Sequence, residues 1–89
     1  MSPYQLVTNV VFRPVNSEAI LLNVTTGDYY GLDVVATHML GHLLEHGDPE
    51  RAVVSICTEY DVEPSRARAD LDCLVEQLVA EGLLERPAG

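Results

Sequence analysis

Asn23-Val-Thr-Thr-Gly-Asp-Tyr-Tyr-Gly-Leu-Asp33 is the stretch that decides how the rest of the chain reads. It closes one strand, turns, lays down a short aromatic strand and opens a helix. Thr26-Gly27-Asp28 has tight-turn chemistry, with Gly27 free to take a positive φ. Tyr29, Tyr30 and Leu32 favour a half-buried extended segment, and Asp33 is suited to accept from the first free amides of the following helix. Gly31 removes a side chain from the strand, a sign that another backbone passes close by.

Upstream of this stretch the chain reads as sheet. Tyr4 to Phe12 is Val-rich and predicts a first strand, ended by Arg13-Pro14-Val15-Asn16-Ser17 because Pro cannot donate to a ladder. Glu18 to Val24 predicts a second strand, whose continuous run Ala19-Ile-Leu-Leu22 suggests cover on more than one side. Asp28 to Leu32 is the third, and short turns make the three an antiparallel meander.

Downstream the chain reads as helix. Val35, Ala36, Met39, Leu40, Leu43 and Leu44 form an apolar stripe on a helix from Val34 to His46, stopped by Gly47. Asp48-Pro49 restarts the chain as a cap and first helical residue, giving a helix to about Tyr60 that buries Ala52, Val53, Ile56 and Cys57. After the turn Asp61-Val-Glu63, Pro64 opens a third helix to about Glu81, with Ala67, Leu71, Leu74, Val75 and Leu78 on one stripe. Gly82 caps it, Leu83-Leu84 tuck back onto the core, and Pro87-Ala-Gly89 frays. The order β-β-β-α-α-α predicts an α+β fold in which a three-stranded antiparallel sheet precedes three helices. The last two helices resemble a helix-turn-helix. Eighty-nine residues make one domain, 1–89.

Fourteen acidic residues against five arginines and no lysine give a net charge of -9, which argues against nucleic acid as a partner. No apolar run approaches the ~20 residues that span a bilayer. The start, Met1-Ser-Pro-Tyr-Gln-Leu, lacks the features of a signal peptide, so a cytoplasmic protein with Cys57 and Cys73 reduced is expected.

No constellation points to catalysis. His38, His42 and His46 recur at four-residue spacing, and a pair of them has chelate geometry, but no further ligand is placed beside them. A solvated helix face is expected there, with no metal and no cofactor. Asp70 and Asp72 point different ways on a helix, and Arg68 offsets Asp72 one turn on. Gly27 and Gly31 lack any phosphate-loop frame, and no Ser sits in a nucleophile elbow. The chain is expected not to be an enzyme.

Leu22-Asn-Val-Thr-Thr-Gly-Asp-Tyr-Tyr-Gly-Leu-Asp-Val-Val-Ala36 resembles the signature of PqqD-like proteins, in which a T-G-x-Y-Y-x-L strand runs directly into a helix. Gly82-Leu83-Leu84 after an acidic, Leu-rich helix also matches, and the likeness extends from about Val11 to Glu85. Val35 departs from it, where Gly is common in the family. The resemblance implies a winged-helix precursor-peptide recognition element from the biosynthesis of ribosomally made, modified peptides. It is most similar to the stand-alone leader-binding protein of lasso-peptide pathways. The implied partners are the precursor's leader peptide and a separate leader peptidase or modifying enzyme.

The leader would add as a strand to Asp28, Tyr29, Tyr30, Gly31 and Leu32 and lie against the third helix. There Ala67, Leu71, Leu74, Val75 and Leu78 would be divided between the core and the pockets, and Arg66 and Arg68 would meet acidic leader groups. On this reading Leu74→Asp, or a Pro at Tyr30, abolishes leader binding. Two other readings compete. A peptide chaperone of quinone-cofactor (PQQ) synthesis shares the mechanism. A winged-helix DNA-binding regulator would use the third helix, where Glu63, Asp70, Asp72, Glu76 and Glu81 count against it. An interaction domain of another kind also remains open.

Overall fold

The structure is a computed structural model that describes residues 4–87. Eight elements follow one another: β1 (Gln5–Leu6), β2 (Val10–Val15), β3 (Glu18–Asn23), β4 (Tyr29–Leu32), α1 (Val34–His46), α2 (Pro49–Glu59), α3 (Pro64–Ala80) and β5 (Leu84–Glu85). β2, β3 and β4 form the antiparallel meander, in that order, with β3 central. The three-strand, three-helix α+β architecture is as the sequence predicts. Met1 to Pro3, and the Ala88-Gly89 part of the expected frayed tail, lie outside the described residues.

The first strand differs from expectation. Asn9 takes a left-handed φ of 80°, which divides the segment into β1 and β2. β1 pairs with β5 to form a second, two-stranded sheet that ties the chain's start to the end of α3. Pro14 does not end the strand but lies inside β2 opposite Ala19. Asn23 N–H donates to Asp28 C=O at 2.9 Å, so residues 19, 21 and 23 of β3 turn their backbone groups towards β4. Residues 18, 20 and 22 therefore serve β2. The nitrogen of Pro14 points away from the ladder, at an edge where a missing donor costs nothing.

The β3–β4 turn is held by a residue that the motif reading passes over. Asn23 Oδ1 accepts from Thr25 N–H at 2.9 Å and Thr26 N–H at 3.1 Å, and Gly27 sits at φ 81°. Asn23→Ala is expected to lower stability by about 1 kcal/mol, the worth of one or two such bonds. A shifted urea midpoint at unchanged slope would show it.

The helix ends obey local chemistry. Asp33 Oδ1 accepts from Ala36 N–H at 2.8 Å, and Asp48 Oδ1 accepts from Glu50 N–H at 3.1 Å. After α3, Gly82 N–H donates to Val79 C=O and Leu83 N–H donates to Leu78 C=O, a Schellman pair that turns Leu83 and Leu84 inward. α1 packs on the sheet and on α2, and α2 packs on α3. Leu21, Leu40, Leu43, Leu71 and Leu78 are fully buried at the centre. The helices cover one face of the main sheet. Ile20 and Leu22, on the other face, remain part-exposed, so β3 lacks the cover on both sides that its apolar run suggests.

Candidate functional site

β4 is a sheet edge with no partner beyond it among the described residues. The Asn23–Asp28 bond fixes the alternation along it. Asp28, Tyr30 and Leu32 direct backbone groups to β3, while Tyr29 and Gly31 direct N–H and C=O outward. The two tyrosines separate as strand geometry requires. Tyr30 shares the inner face with Leu21 and is half-buried, whereas Tyr29 is 73% exposed on the outer face. A Cβ built on Gly31 meets nothing within 4 Å. The close backbone approach expected at this glycine is therefore not made by the described chain.

The turn that follows α3 comes up to this edge. A depression of about 360 Å³ lies between Asp28, Tyr29 and Tyr30 on one side and Glu81 and Leu83 on the other. At the opposite end of β4 a second, about 260 Å³, is lined by Asp33, Val35, Ala36 and Met39 and by Asp70, Cys73, Leu74 and Gln77. An apolar crevice of about 280 Å³ shares Val35, Met39 and Asp70 with it and reaches Ile56, Tyr60 and Val62. The second depression and the crevice share a lining and are walled by Asp33 and the start of α1 on one side and α3 on the other; with the first, at the Asp28 end of β4, they make up the candidate trough. A larger depression, about 430 Å³ at the β2–β3 hairpin end, touches Gly31 but has no α3 wall.

The sequence-derived helix residues fall largely on the other side of α3. Ala67, Leu71, Val75 and Leu78 are 0–4% exposed inside the core. Leu74, at 9%, reaches the trough floor, and Ala67 borders its apolar crevice. The trough-facing surface of α3 is the row Asp70, Cys73, Leu74, Gln77 and, just beyond the helix, Glu81. That row has helical spacing but mixed polarity, so a search for apolar periodicity misses it. Val35, Ala36 and Met39 of α1 were missed for a different reason, since they read as core. Of these, Met39 is buried and still borders the trough. Val35, where the family motif often has Gly, stands 47% exposed on the trough wall.

Arg66 and Arg68 point to solvent and are engaged within α3, Arg66 with Asp70 at 3.3 Å and Arg68 with Asp72 at 3.0 Å. The Asp72 hydrogen bond raises the Arg68 pKa further. Exposed pairs of this kind contribute at most about 1 kcal/mol and exchange partners freely. The histidines are not the free solvated face expected of them. His38 Nδ1 lies 2.7 Å from Tyr60 Oη, His42 Nε2 lies 3.1 Å from Glu59 Oε1 and His46 Nε2 lies 3.0 Å from Ser55 Oγ, so each meets α2 or its cap.

Comparison with known proteins places this architecture. The family described as "Coenzyme PQQ synthesis protein D (PqqD)" matches residues 18–84. No curated protein sequence matches. Among solved structures, "TbiB1 in Complex with the TbiA(beta) Leader Peptide" is 34% identical, with a TM-score of 0.84 over 96% of this chain and 99% of that one. "Lasso peptide synthetase B1 complexed with the leader peptide" is 24% identical and shares the fold, with a TM-score of 0.84 over 94% of this chain and 99% of that one. No helix among the described residues is long and apolar enough to cross a membrane. The family match from β3 to β5, together with the fold shared over nearly the whole chain, shows that this chain belongs to the PqqD family, as a PqqD-like recognition-element domain.

Proposed function

We propose that this protein is a non-catalytic, cytoplasmic recognition element that binds the leader segment of a ribosomal precursor peptide. It would present the precursor to a separate leader peptidase or modifying enzyme in lasso-peptide biosynthesis. The observation that carries the reading is the free β4 edge, which directs the N–H and C=O groups of Tyr29 and Gly31 outward and has a depression at each end, the one beyond Leu32 backed by α3. An extended peptide gains orientation from such an edge and specificity from pockets for alternate side chains. The 34% identity to a chain solved with its leader peptide supports that class of ligand.

The division of labour follows from the lining. Backbone groups of Tyr29 and Gly31 pair with the leader, and Leu74, Met39 and Val35 receive its apolar side chains. Asp28, Asp33, Asp70 and Glu81 rim the trough and favour a leader carrying basic residues. Each large apolar side chain fully buried contributes ~1.5–3 kcal/mol. Ordering the leader takes back ~2–5 kcal/mol. Two or three anchors plus the ladder therefore give submicromolar to micromolar affinity.

The test is an anisotropy titration with fluorescein-labelled leader from the nearest encoded precursor. Saturable binding that a leader lacking its aromatic and leucine residues fails to compete is expected. Absence of binding at high micromolar concentration of the folded domain rejects the reading for that precursor. The chaperone role in quinone-cofactor synthesis predicts the same groove with a different peptide, so the two precursors compared side by side separate them. DNA binding is disfavoured because the exposed side of α3 presents Asp70, Asp72 and Glu76, with both arginines paired to acids.

A further inference from the structure

We propose that His42, Glu45 and His46 of α1, with Glu59 of α2 as a fourth donor, form a site for a zinc-class divalent ion. His42 and His46 stand one turn apart on the same face of α1, with Glu45 beside them. Ligand atoms of these three residues lie within 4.8 Å of one another. The imidazoles are stacked at 17°, with ring centroids 6.5 Å apart. In sequence the cluster is an incomplete chelate. The fold brings a further carboxylate to its edge, because α2 returns alongside α1 and sets Glu59 Oε1 3.1 Å from His42 Nε2.

The surroundings orient these donors. Ser55 Oγ lies 3.0 Å from His46 Nε2, and Glu59 Oε1 also lies 3.3 Å from His38 Nδ1. The rings are thus held by groups from the facing helix, as neighbours hold histidines at metal centres. Two imidazoles with carboxylates suit zinc and the nearby transition metals. Magnesium and calcium, which take six or more oxygen donors, do not fit. A net charge of -9 raises the local concentration of cations. A bound ion would link α1 to α2 and leave the trough open, because none of these four residues lines its three depressions. The site stands whatever the trough binds.

Calorimetric titration of the whole chain with zinc chloride tests it. The chain carries Cys57→Ser and Cys73→Ser so that no thiol competes. Saturable one-to-one binding in the micromolar range is expected, with a higher Tm in zinc and no response to millimolar magnesium. His42→Ala and His46→Ala are each expected to weaken binding at least about tenfold, and Glu59→Gln by several-fold. Asp72→Asn, which removes a carboxylate that pairs with Arg68 on α3, is expected to bind as the parent does. Far-UV circular dichroism on each variant separates loss of a ligand from loss of fold. Zinc binding absent below millimolar concentration would overturn the proposal, as would binding that survives in folded His42→Ala and His46→Ala variants.

Discussion

Gly31→Pro is expected to leave the domain folded and to weaken leader binding about tenfold or more. The Gly31 N–H points out of the sheet, so proline removes no bond between β4 and β3. The position has no left-handed φ, and a Cβ there meets nothing within 4 Å. The same sheet already carries a proline at an outward-facing nitrogen, Pro14 on the opposite edge. One lost ladder bond is worth about 0.5–1.5 kcal/mol net, up to about tenfold in affinity. The ring also projects into the path of the added strand and raises the loss.

Gly31→Ala is the control. It keeps the N–H and turns a methyl to the open face of the sheet, so affinity is expected to stay unchanged. Tyr30→Pro, by contrast, removes a donor that serves β3 and damages β4 itself, so its loss of binding would say little about the edge. Anisotropy titrations beside thermal melts measure both quantities. A folded Gly31→Pro variant that binds like the parent would show that the leader does not use this edge.

Cys73→Arg is expected to have the larger effect. Cys73 is exposed on the trough side of α3, between Asp70 and Gln77, and its thiol is free. Arginine there fills the trough without entering the core, so Tm is expected to move by only a few degrees. Displacing one buried leader anchor costs about 2 kcal/mol, roughly 30-fold in affinity, and obstruction of the neighbouring pockets adds to it.

The same residue gives a test without mutation. Bound leader is expected to slow maleimide labelling of Cys73, and prior labelling is expected to block leader binding. Cys57 is only partly exposed, on α2 away from the trough, and its labelling is expected to be indifferent to leader. Unchanged Cys73 labelling at saturating leader would move the peptide off α3. Leu74→Asp is a less decisive probe than the motif suggests. Leu74 is 9% exposed, so a buried carboxylate there threatens the fold before it reports on the groove.

The sequence by itself determined the elements and most of their ends, because these depend on short-range chemistry. Gly27 and Gly47 supply positive φ, and Asp33 and Asp48 accept from free helix amides within three residues. Leu71, Val75 and Leu78 recur on one helix stripe because that stripe is buried. The T-G-x-Y-Y-x-L run was likewise enough to point to the family that residues 18–84 match.

Only the tertiary structure decided which strand edge is free, which face of α3 looks onto it, and what stands opposite the histidines. Each depends on residues brought together from distant segments. The outward set on β4 follows from the Asn23–Asp28 bond, which sets the register. Cys73 and Gln77 belong to the trough because α3 turns its apolar stripe to the core and leaves its mixed row facing Asp33 and the start of α1. Glu59 meets His42 across 17 residues of sequence, a distance that no helical repeat spans. An apolar period reports what a helix buries in its own fold. It carries no record of the surface kept for a partner, where affinity comes from backbone groups and a few mixed side chains.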